Sequence, residues 1–184
     1  MAAENNHKDI IEKILLSNEQ IDKRITELAK AISEDYKNRD LILICILKGG
    51  LYFLIDLSKK LTIPHTFDVV GAASYGKSTK SSGHVVITKD VTTDIRNKDI
   101  IIIEDIYDTG TTLKVVCDLL NVHNPKSISV CALIVKNKKH IKEIPIKYEG
   151  FEIKDEFVVG YGLDYDEKYR HFNFIGILRK ELYS

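Results

Sequence analysis

The chain has 184 residues, 44% of them hydrophobic and 29% charged, enough for one domain with a substantial core. Lysine plus arginine number 27 and aspartate plus glutamate number 27, so the formal charge is zero. That balance excludes a nucleic-acid or membrane surface driven by bulk charge, although local clusters remain free to bind anions.

The first nine residues, MAAENNHKD, are polar and predict no secretory signal. Ser17-Asn18-Glu19-Gln20 has the form of a capping box, and Ile21, Ile25, Leu28, Ala29, Ile32 and Tyr36 then recur at helical spacing. Asn38-Arg39-Asp40 breaks that helix. The run LILICIL at residues 41–47 predicts a strand covered on both faces, and it is far too short to cross a bilayer. After Lys48-Gly49-Gly50, a helical pattern carries Leu51, Leu54, Ile55 and Leu57; Pro64 then leads into a strand at residues 65–70.

GAASYGKS, residues 71–78, fits G-x-x-x-x-G-K-[ST], a phosphate-loop pattern that needs a helix N-terminus directly after it. TKSSG and the β-branched run VVIT follow instead, so a strand is expected and the triphosphatase reading weakens. A long polar loop of this kind suits a lid over a site.

Residues 100–103 are four isoleucines, a buried strand ending in Glu104 and Asp105. The turn Asp108-Thr109-Gly110 opens a helix bearing Leu113, Val116, Cys117, Leu119 and Leu120, which Pro125 closes off. SISVCALIV at 127–135 is the next buried strand, and short strands follow at 158–159 and 175–178, expected to pack with the N-terminal helix over one end of the sheet. Alternating strands and helices predict an α/β fold with a mostly parallel twisted sheet flanked by helices. Cys45, Cys117 and Cys131 lie in apolar stretches with no regular spacing, which reads as reduced thiols in a cytoplasmic protein and not as a disulfide or zinc framework.

The chemistry concentrates in IIIIEDIYDTGTTL. In open α/β sheets ligands bind beyond the C-terminal strand ends. Two adjacent carboxylates repel, and desolvating them is costly; hydroxyl donors or a divalent cation relieve both costs. The amides and hydroxyls of Asp108-Thr109-Gly110-Thr111-Thr112 offer a nest for a phosphate monoester. A plain helix cap needs one acid, not three.

This stretch resembles the signature of the type I phosphoribosyltransferases, matching it at every position. Lys48-Gly49, Ser74-Tyr75, Lys136 at the end of LIVK, and FVVGYGLDY at 157–165 followed by Arg170 resemble further segments of the 6-oxopurine group, in the correct order and at bacterial length. The resemblance implies a type I phosphoribosyltransferase fold in a single domain, its core about 37–154 and a small hood from about 1–36 and 155–184. It implies magnesium-dependent transfer of the phosphoribosyl group from phosphoribosyl pyrophosphate to a purine base such as hypoxanthine or guanine, in a homodimer or homotetramer. Glu104 and Asp105 would hold the ribose hydroxyls and help position magnesium; Asp164 would bind a second magnesium. Asp108 would be the acid/base at purine N7, and residues 108–112 would bind the 5′-phosphate. Lys48, Gly49 and Arg170 would contact pyrophosphate, with a cis peptide preceding the glycine. Lys136 would donate to the 6-oxo group, Phe157 would stack on the base, and the backbone of Val158 would read its edge. Ser74 and Tyr75 would open a mobile lid reaching to about residue 85. A regulator that senses phosphoribosyl pyrophosphate without turning it over is the alternative on the same fold. Such proteins tend to lose the counterparts of Asp108, Lys136 and Arg170, all present here.

Overall fold

The computed structural model describes residues 7–74, 85–138, 140 and 143–183. Nine strands and three α-helices follow one another as β1 (Ile11–Leu16), α1 (Asn18–Asp35), β2 (Leu41–Leu47), α2 (Leu51–Lys60), β3 (His65–Ser74), β4 (Val85–Lys89), β5 (Asp99–Tyr107), α3 (Thr111–Val122), β6 (Ser127–Lys136), β7 (Tyr148–Ile153), β8 (Val158–Val159) and β9 (Ile175–Leu178) among the described residues. Six strands form one sheet in the order β4-β3-β2-β5-β6-β7, and β1-β9-β8 form a second, smaller one. In the large sheet only β3 and β4 run antiparallel; the other four pairs are parallel.

Strand periodicity divides the core. Leu41, Leu43, Cys45, Ile101 and Ile103 point to one face, where they pack with α1 and α2. Ile42, Ile44, Ile46, Ile100 and Ile102 point to the other, against Leu113, Val116 and Leu120 of α3. Both faces of β2 and β5 are thereby covered, which is why these strands read as unbroken apolar runs. The capping box forms: the Ser17 hydroxyl accepts from the Gln20 amide, and the Gln20 side chain accepts from the Ser17 amide at 2.8 Å. All six periodic positions of that helix, Tyr36 included, are buried.

Several sequence expectations change. β5 runs on through Tyr107, so Glu104 and Asp105 lie within the strand and not at its end. On α2, Leu54 and Leu57 are buried together with Phe53, whereas Leu51 and Ile55 face outward. The short strand β8 pairs with β9, and β9 in turn with β1, a strand the periodicity did not reveal; Val158 and Ile175 share a buried cluster with Ile21 and Ile25 of α1, whose main neighbours are α2 and β7. The segment after residue 84 is the strand β4, so the helix that the phosphate-loop pattern requires is absent among the described residues. Residues 75–84, including Tyr75 and the rest of the expected lid, lie outside the described residues, and Ser74 is described only as the last backbone position of β3. No described helix is long and apolar enough to cross a membrane. Cys45 and Cys131 are buried and Cys117 half-buried; burial raises all three thiols, Cys117 to about 11.

Candidate active site

A cleft of about 1240 Å³ opens along the C-terminal ends of β2 and β5 and is roofed by residues 157–170. Its walls include Lys48, Gly49, Glu104, Asp105, Thr112, Phe157, Asp164 and Arg170, eight of the expected site residues. The parallel register explains the convergence: Cys45 of β2 pairs with Ile103 of β5, so the loop after β2 and the acids of β5 emerge side by side.

The floor is the acidic pair. Burial and then the charge of Asp105 drive the Glu104 carboxyl well above its ordinary range; burial also raises Asp105. Glu104 Oε2 is buried without a hydrogen-bond partner among the described residues, whereas Asp105 Oδ1 accepts from the Ile106 amide at 2.8 Å. Two hard oxygen donors side by side, one unsatisfied, fit a divalent cation. Asp164 is placed differently. Its carboxylate pairs with Arg170 Nη2 at 2.8 Å and accepts from the Glu167 amide at 2.9 Å. No cluster of three acids, histidines or cysteines suited to a single metal ion forms among the described residues, so the three expected metal ligands divide into a pair and a separate carboxylate.

Gly49 packs on this floor. A Cβ there would fall 1.6 Å from Asp105 Oδ2, so the loop reaches the acids only because residue 49 has no side chain. Gly162, at φ +97°, meets it from above: its Cβ would lie 2.1 Å from the Gly49 carbonyl oxygen. The cis peptide expected beside Gly49 lies one bond earlier, at Leu47-Lys48.

Beside the acids, Gly110 at φ +80° turns the chain into α3. Thr111 N–H donates to Thr109 Oγ1 at 3.4 Å, and the two hydroxyls meet at 3.2 Å. The cap residue Gly110 has no side chain to turn back on α3, and apart from this long Thr109 contact no side chain among the described residues accepts from the first turn, which suits that turn to an anion.

At the opposite end of the roof, Phe157 stacks on Tyr183 (4.8 Å between centroids, 23° between planes) and meets the edge of Tyr165 at 5.7 Å. Lys48 Nζ pairs with Glu167 Oε2 at 2.8 Å, and Arg170 Nη1 donates to the Gly162 carbonyl at 2.7 Å.

Asp108, Thr109, Gly110, Thr111, Lys136 and Val158 are not among the residues lining this cleft. Lys136, 8% exposed, lies 3.5 Å from Asp108 Oδ2, so the expected acid/base and the expected 6-oxo donor do come together. Val158 is buried in β8, opposite Ile177. Sequence reading assigned no role to Asp155, Lys138 or Glu167. Lys138 contacts both Asp108 and Asp155, and Glu167 binds both Lys48 and Arg170. The only available signal was their closeness in the chain to Lys136, Phe157 and Arg170.

Comparison with known proteins gives a consistent result. The phosphoribosyl transferase domain family matches residues 12–166. The chain is 44% identical over 178 residues to hypoxanthine-guanine phosphoribosyltransferase of Staphylococcus epidermidis, covering 97% of this chain and 99% of the relative. It is 43% identical over 180 residues to the enzyme of that name from Mycobacterium tuberculosis, covering 95% and 89%. A crystal structure of a hypoxanthine phosphoribosyltransferase from Staphylococcus aureus superposes with a TM-score of 0.92 at 40% identity, covering 98% of this chain and 99% of that one.

Proposed function

The chain belongs to the phosphoribosyltransferase family, and from that premise we propose how its residues carry the reaction of its relatives. It is an enzyme of purine salvage that transfers the phosphoribosyl group of phosphoribosyl pyrophosphate to hypoxanthine or guanine, releasing pyrophosphate. The observation that supports the assignment of residues best is the convergence, along one sheet edge, of Lys48-Gly49, Glu104-Asp105 and Thr112 in the first turn of α3 on a single cleft.

In this reading the α3 amides with Thr109, Thr111 and Thr112 bind the 5′-phosphate. Glu104 and Asp105 accept from the ribose 2′- and 3′-hydroxyls. Lys48 and Arg170 hold the pyrophosphate, a bidentate guanidinium and a point charge on one anion. Glu104 with Asp105, and separately Asp164, would hold magnesium, which when bound would neutralise charge building on the leaving pyrophosphate. Asp108 accepts or shares the N7 proton as N9 becomes the nucleophile. Lys136 donates to the 6-oxo group, which rejects a base bearing an amine there. Phe157, with Tyr183 behind the same aromatic cluster, supplies the stacking surface, and the Val158 backbone reads the base edge. The rate gain comes from placing both reactants and fixing charges beforehand.

A single domain with its core at about 37–154 and its hood from about 1–36 and 155–184 belongs to this proposal, as do a cytoplasmic setting and a homodimer or homotetramer. Exposed Leu51, Tyr52 and Ile55 on α2 support the oligomer, and light scattering after size exclusion tests it. The reaction itself is tested by mixing the protein with magnesium, phosphoribosyl pyrophosphate and, in turn, hypoxanthine, guanine, xanthine, adenine or uracil. Nucleotide from the 6-oxopurines that vanishes without magnesium is expected. Binding of phosphoribosyl pyrophosphate with no product from any base would turn the reading into that of a sensor.

A further inference from the structure

Four charged side chains alternate where β5, β6 and β7 end. Lys136 Nζ lies 3.5 Å from Asp108 Oδ2 and 3.1 Å from Asp155 Oδ1. Lys138 Nζ contacts Asp108 Oδ1 and lies 2.9 Å from the same Asp155 oxygen. Each lysine is thus shared between two carboxylates.

A 6-oxopurine bound as proposed takes Asp108 to N7 and one Lys136 donor to the 6-oxo oxygen. Both lysines then lose Asp108 as their partner. Lys136 is 8% exposed, and an ammonium left there without an anion is costly. An ammonium has three donors, so Lys136 can serve the base oxygen and one carboxylate together. Asp155 is that carboxylate. Hydrogen bonds from Lys138 and Lys136 hold its own carboxyl below the usual range, so it stays charged at neutral pH.

We propose that Asp155 is a positioning residue for base recognition: it remains the counter-ion of Lys136 while the purine occupies Asp108, and so sets how tightly the 6-oxo group is held. This rests on the assignment of Lys136 as the 6-oxo donor. Asp155 also stands two residues before Phe157, and a purely local role in shaping that turn is the rival account.

Binding of inosine monophosphate, measured by calorimetry without turnover, separates the two. Asp155→Asn is expected to weaken binding about tenfold, the loss of one charge-assisted contact. Asp155→Glu is expected to recover most of it, and KM for phosphoribosyl pyrophosphate to stay within about twofold in both variants. In a Lys136→Met background, Asp155→Asn should cost nothing further, because its partner is already gone. An equal loss in both backgrounds assigns the effect to the Phe157 turn and overturns the proposal. If Lys136→Met weakens binding and Asp155→Asn does not, this proposal falls and the reading of Lys136 stands. If Lys136→Met leaves binding unchanged, the reading of Lys136 falls and takes the proposal with it.

Discussion

Lys48 Nζ and Glu167 Oε2 meet at 2.8 Å across 119 residues of sequence, and Arg170 Nη2 reaches the same oxygen at 3.3 Å. One carboxylate therefore occupies both cations assigned to pyrophosphate. Lys48 and Glu167 are each more than 60% exposed, so the pair contributes little to stability and yields readily to a more highly charged anion. Glu167→Gln should lower KM for phosphoribosyl pyrophosphate by about two- to fivefold at low salt, less at high salt, with the melting temperature unchanged. Initial rates at two ionic strengths check this; a raised KM would contradict it.

Asp108→Asn keeps the shape of the carboxylate and removes its ability to take a proton. Because Asp108 is 41% exposed, folding should survive the change. A fall in kcat of about 10²–10⁴ is expected. Steady-state rates alongside a thermal melt distinguish lost chemistry from lost structure, and near-normal turnover would remove Asp108 from the mechanism.

The acidic floor couples metal to stability. Glu104 and Asp105 are buried together, and Glu104 Oε2 has no hydrogen-bond partner among the described residues. Chelation with EDTA should abolish activity. In metal-free protein, Glu104→Gln removes a desolvated acid beside another and should raise stability by about 1 kcal/mol, or roughly 2–4 °C, while losing most activity. Calorimetric melts in EDTA provide the comparison; destabilisation would show that the acid is already satisfied within the fold.

Asp68, outside the residues that line the cleft, ties β3 to the loop after β4. It accepts from the Val69, Thr92 and Thr93 amides at 2.7, 2.6 and 2.8 Å and from the Thr92 hydroxyl at 3.0 Å. Burial pushes its carboxyl upward, but the hydrogen bonds from Thr93, Val69 and Thr92 outweigh it and hold the group well below the ordinary range. A depressed folded-state pKa contributes stability that is full above the unfolded value, about 3.9, and is lost as pH falls toward the folded one. Asp68→Asn should cost about 2 kcal/mol at pH 7. Urea unfolding at pH 7 and at pH 3 tests the sign: the gap between variant and wild type should narrow in acid.

Where local pattern and final environment agreed, the sequence was readable. LILICIL is a strand with both faces covered, and its ends match β2 residue for residue. Ser17 and Gln20 are neighbours in sequence and in the cap. β1 was missed because its partner β9, Ile175–Leu178, lies at the far end of the sequence, and IEKILL, with three exposed positions in a row, shows no period of two. β7 was missed because YEGFEI has a glycine at its centre; Gly150 fits there because a Cβ would meet the Leu133 carbonyl oxygen at 2.1 Å. Asp155 carried no signal beyond its closeness to Phe157, since its meaning comes from two lysines on a neighbouring strand end. The central motif was legible because one β5–α3 unit, within a dozen residues, carries the acids and the phosphate nest together.

The backbone contact between Gly49 and Gly162 bears on how tolerance to substitution should be interpreted. In a saturation library both positions would return glycine almost alone, and they would do so although neither offers a side chain to any substrate. Ranking residues by intolerance would then place these two beside Asp108 and Lys136. Their invariance would measure a distance between two stretches of main chain, 113 residues apart, that close one cleft.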